Sequence, residues 1–173
     1  MEVGVLSMRY AKAMIEYAQE KGVEDRLYNE FFTLSHSFRV QPGLREVLDN
    51  PVVSVKDKLA AADGNGESSR EFVRFITLVL RNRREGYLQF ISLMYLDLYR
   101  KLKHIGVGKL ITAVPVDKET ENRIRSAAAH ILHAQMELDT VIDPSIEGGF
   151  IFDINDYRLD ASIATQLKRV KQQ

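Results

Sequence analysis

The chain has 173 residues, 45% of them hydrophobic, enough for two small domains with a modest core each. Cationic and anionic residues balance at 24 each, with a net +2 before Ile105 and −2 from there on, so no long-range field selects nucleic acid or an anionic membrane. Cysteine is absent, which excludes disulfides, thiolate catalysis and cysteine metal sites and suits a reducing compartment; no apolar run is long enough to span a bilayer, and the opening MEVGVLSMRY puts an acid where a signal peptide carries its basic segment.

The first predicted helix covers 7–22, with Ser7 as N-cap, Lys21 in the last turn and Gly22 as the stop. Tyr10, Met14, Tyr17 and Ala18 form its apolar stripe, while Ala11 and Ile15 widen the arc beyond what one core contact requires. A second helix, 23–40, carries Leu27, Phe31, Leu34 and Phe38 at core spacing and ends at Pro42-Gly43. Leu44, Val47 and Leu48 make a short helical piece closed by Asn50-Pro51. Ser54 with Asp57 opens a fourth helix, which runs to the Gly64-Asn65-Gly66 turn.

Ser68 with Glu71 reads as the capping box of a fifth helix that is apolar nearly all round, from Phe72 to Leu80, and residues 81–84 close it with cations. A sixth starts near Glu85 with Tyr87, Ile91, Met94, Leu98 and Leu102 on one stripe. The fold expected is therefore mainly α: a six-helix antiparallel bundle over 1–104, followed by a small α/β module over 105–173. At 105–108 the period changes from helical to two-residue. Strands at 109–116 and 136–142 flank a helix capped by Asp117; Phe150, Phe152 and Ile154 line a third strand, Asn155-Asp156 turns it, and a closing helix starts at Asp160.

Catalytic and metal chemistry finds little footing. Gly106-Val107-Gly108-Lys109 lacks the spacing of a phosphate loop and has Leu110 where a hydroxyl is needed. His130, His133 and Glu137 are weighed as metal ligands against polar residues near a helix end, and the bland reading is preferred. Asp153, Asn155, Asp156 and Asp160 imitate a calcium loop, but Arg158 occupies its glycine position and Ala164 its bidentate glutamate position. No cofactor is expected. Arg81, Arg83 and Arg84 with Tyr87 suggest an RNA-binding bundle of the antitermination type as the alternative function. An enzyme on the C-terminal module needs Asp143, Asp153 and Asp160 to converge. The wide apolar arcs of the first and fifth helices fit two readings equally: burial in the core alone, or a shared groove that takes an amphipathic helix.

Over almost its full length the chain resembles the delta subunit family of F-type ATP synthase, the counterpart of the oligomycin sensitivity-conferring protein. The resemblance rests on Arg9-Tyr10-Ala11-Lys12-Ala13, on Pro51-Val52-Val53-Ser54 with Lys58, on Arg81-Asn82-Arg83-Arg84, and on Asp143-Pro144-Ser145-Ile146-Glu147-Gly148-Gly149 followed by Asp160-Ala161-Ser162 and Leu167. Glu147, Asn155-Asp156 and Ala161 depart from the family's usual residues. The resemblance implies a non-catalytic stator subunit that joins the catalytic head to the peripheral stalk and holds the head against rotor torque during proton-driven ATP synthesis. It implies an N-terminal helix of an alpha subunit as partner of the bundle, in a groove formed by Tyr10, Ala13, Met14, Tyr17, Val73, Ile76, Thr77 and Leu80. It implies b subunits of the stalk as partners of the C-terminal module, whose structural motif is Asp143, Gly148, Gly149, Asp160, Ser162 and Leu167. Nucleic acid is not an implied partner, and the membrane is reached only through the complex, on the cytoplasmic side of a bacterial inner membrane.

Overall fold

The computed structural model describes residues 3–64, 66–132, 135–154 and 157–171. The chain divides into two compact units, Met1–Lys101 and Leu102–Gln173. It is mainly helical: among the described residues an antiparallel bundle of six α-helices precedes a four-stranded sheet with two more helices, one between the first two strands and one after the last.

Helix α1 (Val3–Lys21) begins before Ser7, so Ser7 is not its N-cap. Ser7 is fully buried and joins Ala11, Met14 and Ala18 at offsets of four, three and four, the spacing of one helical face. It serves as a small residue in the core, and its Oγ has no partner among the described residues. Helix α2 (Glu24–Val40) buries Leu27, Phe31 and Leu34 as the pattern predicts, while Phe38, the fourth of that series, is only half-buried near the helix end. Pro42 does not merely end α2: it occupies the first turn of α3 (Pro42–Asp49), where a missing N–H leaves no helical bond unmade. Helix α4 (Val55–Asp63) is capped by Ser54, whose Oγ accepts from the Asp57 N–H at 3.2 Å and donates to Asp57 Oδ2 at 2.6 Å. The box closes hydroxyl to carboxylate.

Helix α5 (Arg70–Arg81) is capped by Ser69, one residue beyond the expected serine. Ser69 Oγ accepts from the Phe72 N–H, while Ser69 donates both its N–H and its hydroxyl to the Glu30 carboxylate of α2. Glu30 thus selects between two adjacent serines, a choice made by tertiary contact. At the other end, Arg83 N–H reaches the Leu80 carbonyl and Arg84 N–H the Val79 carbonyl, with Arg83 left-handed at φ 53°. That is a Schellman closure with an arginine where glycine is usual. A 3-10 turn, Glu85–Tyr87, leads into α6 (Leu88–Lys103). Its core face is Leu88, Ile91, Tyr95 and Tyr99, rotated from the expected stripe, so that Leu102 stays exposed.

The bundle core centres on Phe31. Its ring meets Phe72 edge-on at 5.1 Å and Phe75 at 5.7 Å, and lies 4.4 Å from Tyr95, joining α2, α5 and α6. Beside this core Lys58, only 4% exposed, forms an ion pair with Glu85. Burial pushes the Glu85 carboxyl up, but the Lys58 hydrogen bond and the charges of Lys58 and Arg83 outweigh it and hold it below the ordinary glutamate value.

In the second unit β1 (Ile105–Thr112), α7 (Lys118–Leu132) and β2 (Gln135–Ile142) form a β-α-β unit with parallel strands. Asp117 caps α7 by accepting from the Thr120 N–H at 3.2 Å. Strand β3 (Phe150–Ile154) pairs antiparallel with β1, and β4 (Tyr157–Asp160) with β3, giving the order β2-β1-β3-β4. β1 starts four residues earlier than the alternation indicates, because Gly106 and Gly108 lie inside it. A Cβ on Gly106 would stand 2.6 Å from Met136 Sδ, and one on Gly108 3.0 Å from Leu138 Cδ2. Ala128 and Ala129 of α7 pack with Met136, Phe152 and Ile154. The opposite face carries a charged row: Asp139, Lys109, Asp153 and Arg158 are register neighbours across all four strands, with Arg158 Nη1 3.6 Å from Asp153 Oδ2. The Asn155-Asp156 turn expected between β3 and β4 lies outside the described residues.

Removing Lys58 strands a partly buried carboxylate. Lys58→Met is expected to destabilise the protein by about 2 kcal/mol at neutral pH in urea unfolding. Because the folded Glu85 value is depressed, the pair's contribution is complete above the ordinary glutamate range and is lost as pH falls through that lower value, so the gap between the two proteins should narrow as pH drops below the ordinary glutamate range.

Candidate partner-binding surfaces

Helices α1 and α5 lie side by side in the bundle. Tyr10 packs edge-on against Phe75 at 6.2 Å, and its hydroxyl accepts from Arg84 Nη1 at 2.9 Å and Asn82 Nδ2 at 3.1 Å. Nearer the start of α5, Met14 and Tyr17 line a shallow depression of about 270 Å³ with Glu71, Arg74, Phe75 and Leu78. A second, of about 310 Å³, lies on the flank of α5 among Val73, Arg74, Thr77, Leu78 and Arg81. Leu78 stands between the two and is 51% exposed, in a helix whose other large apolar side chains are mostly covered.

The eight groove residues expected from sequence therefore separate. Tyr10, Tyr17, Val73 and Thr77 are half-buried at the surface, and Ala13 is exposed. Met14, 4% exposed, forms a floor. Ile76 and Leu80, at 0% and 3%, belong to the bundle core. Thr77 directs its hydroxyl to the Val73 carbonyl at 2.7 Å. Phe75, Leu78 and Arg74 also line these depressions and are not among the eight residues expected from sequence. Periodicity places apolar residues almost all round α5, and the packing of α1, α2 and α4 decides which flank stays open.

The C-terminal motif assembles as a joint. Asp143 donates its N–H to the Thr112 carbonyl at 2.8 Å and accepts from the Ser145 N–H at 3.0 Å, which holds its carboxyl below the usual range. The turn after it brings Gly148 and Gly149 against residues 161–163. Ile163 N–H reaches the Gly148 carbonyl at 3.0 Å and Ala161 N–H the Phe150 carbonyl at 2.9 Å. Gly149 has φ 72°, and a Cβ there would overlap the Ala161 carbonyl oxygen. Asp160 accepts from the Ser162 N–H at 3.0 Å, the Ser162 hydroxyl at 2.6 Å and the Thr165 hydroxyl at 2.9 Å; Ser162 Oγ in turn caps α8 (Ile163–Lys171) by accepting from the Thr165 N–H. Those Ser162 and Thr165 hydrogen bonds pull the Asp160 carboxyl down to about 2. Asp143 and Asp160 each serve as an acceptor for a local turn or cap. Leu167 stands outside the joint, 47% exposed on α8.

The family profile described as ATP synthase delta (OSCP) subunit matches residues 6–173. The chain belongs to that family. It is 98% identical to the ATP synthase subunit delta of Bacteroides thetaiotaomicron over the whole chain and 95% of that relative, and 72% identical to that of Bacteroides fragilis over the same shares. The subunit delta of Flavobacterium johnsoniae is 30% identical over 96% of the chain and 95% of its own length. Among solved structures, a chain of the Toxoplasma gondii mitochondrial ATP synthase hexamer has the same fold, with TM-score 0.72, 22% identity and 96% coverage of both chains.

As a delta (OSCP) subunit the protein is a component of the peripheral stalk of ATP synthase, and its partners are subunits of that membrane-associated complex. No described helix is long and apolar enough to cross a membrane. The RNA-binding alternative has no support here: Arg84 and Asn82 donate to Tyr10, and Arg83 forms the left-handed closure of α5.

Two outcomes follow from the joint. Gly149→Ala, which forces a Cβ into the Ala161 carbonyl from a left-handed backbone, should cost at least about 2 kcal/mol in chemical denaturation. Asp160 has a folded value below its ordinary 3.8, so its stabilisation is present above that pH and is lost as pH falls toward about 2. An acid titration followed by circular dichroism should show that loss in the native protein and a smaller one in Asp160→Asn.

Proposed function

We propose that this subunit links the catalytic head to the b-subunit stalk without chemistry of its own and resists rotor torque, the bundle holding the amphipathic N-terminal helix of an alpha subunit between α1 and α5. The observation that carries this reading is Leu78. A large apolar side chain half open to solvent, between two depressions and beside Met14, Tyr17 and Phe75, offers a helix a ridge to straddle with its apolar face. The C-terminal module engages the b subunits, and through the complex the protein sits on the cytoplasmic side of a bacterial inner membrane. Leu159, Ile163 and Leu167 support the stalk contact, being exposed apolar residues on β4 and α8.

The test is calorimetric titration of the full chain with a synthetic peptide of the alpha N-terminal segment. Leu78→Ala should weaken binding by about 1–3 kcal/mol at unchanged stability, as a truncated interface anchor does. Ile76→Ala should instead lower stability by about 2–4 kcal/mol, as a core truncation does. Absence of binding, or amide shifts on binding that avoid α1 and α5, would sink the groove assignment.

A further inference from the structure

We infer that the groove between α1 and α5 selects its helix by charge: a carboxylate of the docked helix is held at the Tyr10–Arg84 end, while the apolar stripe lies on Leu78. This rests on the helix-binding reading above and adds the chemistry of the bound segment. The two helices run in opposite directions, since Tyr10 meets Phe75, Asn82 and Arg84, whereas Tyr17, further along α1, meets the depression that includes Glu71. The Tyr10 end of the groove is thus the C-terminal end of α5.

At that end the hydrogen-bonding capacity is one-sided. A phenol oxygen has two acceptor sites and one proton to donate. Arg84 and Asn82 fill both acceptor sites, so all that Tyr10 has left to offer is its O–H. The Arg84 Cζ also lies 5.5 Å from the Tyr10 ring centroid, a cation–π contact that holds the guanidinium beside the ring while leaving most of its five N–H donors to other acceptors. A carboxylate answers both groups at once, with an acceptor for the phenol and a charge for the arginine.

The rest of the groove has the same sign. Arg74 and Arg81 wall the depressions on either side of Leu78 and hold no ion pair among the described residues. Against Arg74, Arg81 and Arg84 stands only Glu71 among the residues lining this surface. Charge complementarity therefore asks for acidic positions on the flank of the docked helix. Leu78 lies on α5 and Arg84 just past its left-handed closure, so the critical acid lies beyond the apolar anchor that meets Leu78, toward the C-terminal end of α5.

The experiment uses the full chain and a fluorescent peptide of the alpha N-terminal segment, read by anisotropy. Raising salt from about 50 to 300 mM should weaken binding several-fold. Arg81→Glu and Arg84→Gln should each weaken it by about tenfold, and replacing the peptide's acidic residues by lysine should weaken binding to the native chain but less so to Arg81→Glu. Lys56→Glu, an equal charge change on the exposed face of α4, should leave affinity unchanged. Circular dichroism melts of each variant separate lost binding from lost folding. Binding that ignores salt, both arginine changes and peptide charge overturns the charge selection while leaving the helix groove in place. No binding by the native chain overturns both.

Discussion

The contact of the Phe31 ring with Phe72, Phe75 and Tyr95 is what the bundle depends on. Three helices share that one fully buried side chain, and two of its partners lie on α5 one turn apart. Turning α5 about its axis would break both, which fixes which residues point inward and hence which flank stays open. Leu78 is exposed because Phe72, Phe75 and Val79 are committed to the core. The ends of α5 are tied as firmly, by Glu30 at Ser69 and by the left-handed Arg83 with Arg84 on Tyr10. The flank of α5 that stays open is thus held by contacts at both ends of the helix, which lowers the ordering cost of any association there.

The C-terminal joint reaches rigidity by another route. It uses main-chain contact: two backbone hydrogen bonds cross from residues 161 and 163 to 150 and 148, and Gly149 lets the chains touch where any side chain would separate them. Asp160 then orders the residues that enter α8. Three aspartates that resemble an active site in sequence are thereby divided: Asp143 and Asp160 complete turns, and Asp153 faces Arg158 across the sheet.

Much of this was legible in the sequence where the cause is local. Leu27, Phe31 and Leu34 announce α2 by their spacing, Ser54 and Asp57 announce the start of α4, and Asp143, Gly148-Gly149 and Asp160 mark the joint with residues whose turn chemistry is specific. What was lost depends on distant partners. Ser68 and Ser69 are equivalent to a local rule, and Glu30 decides between them. Ser7 resembles a cap, but its place in the Ala11, Met14, Ala18 series makes it a core residue. Gly106 and Gly108 read as a boundary, although it is the bulk of Met136, Leu138 and Phe152 on neighbouring strands that requires them inside β1. The groove suffered most, since exposure on a helix apolar nearly all round is a property of its neighbours; Ile76 and Leu80 are chemically as suitable as Leu78.

The charged row across the sheet bears on the time before the subunit is assembled. Strands β2 and β4 are the two edges of the sheet, and an open edge invites a second copy to add its own strand. Glu137 and Asp139 point to one face of β2, two residues apart; an antiparallel β2–β2 pair centred on Leu138 would set each glutamate opposite the other chain's aspartate. The acidic pair Glu137 and Asp139 thus makes the β2 edge a poor match for its own copy, one of the ways a sheet edge is kept from adding a second strand.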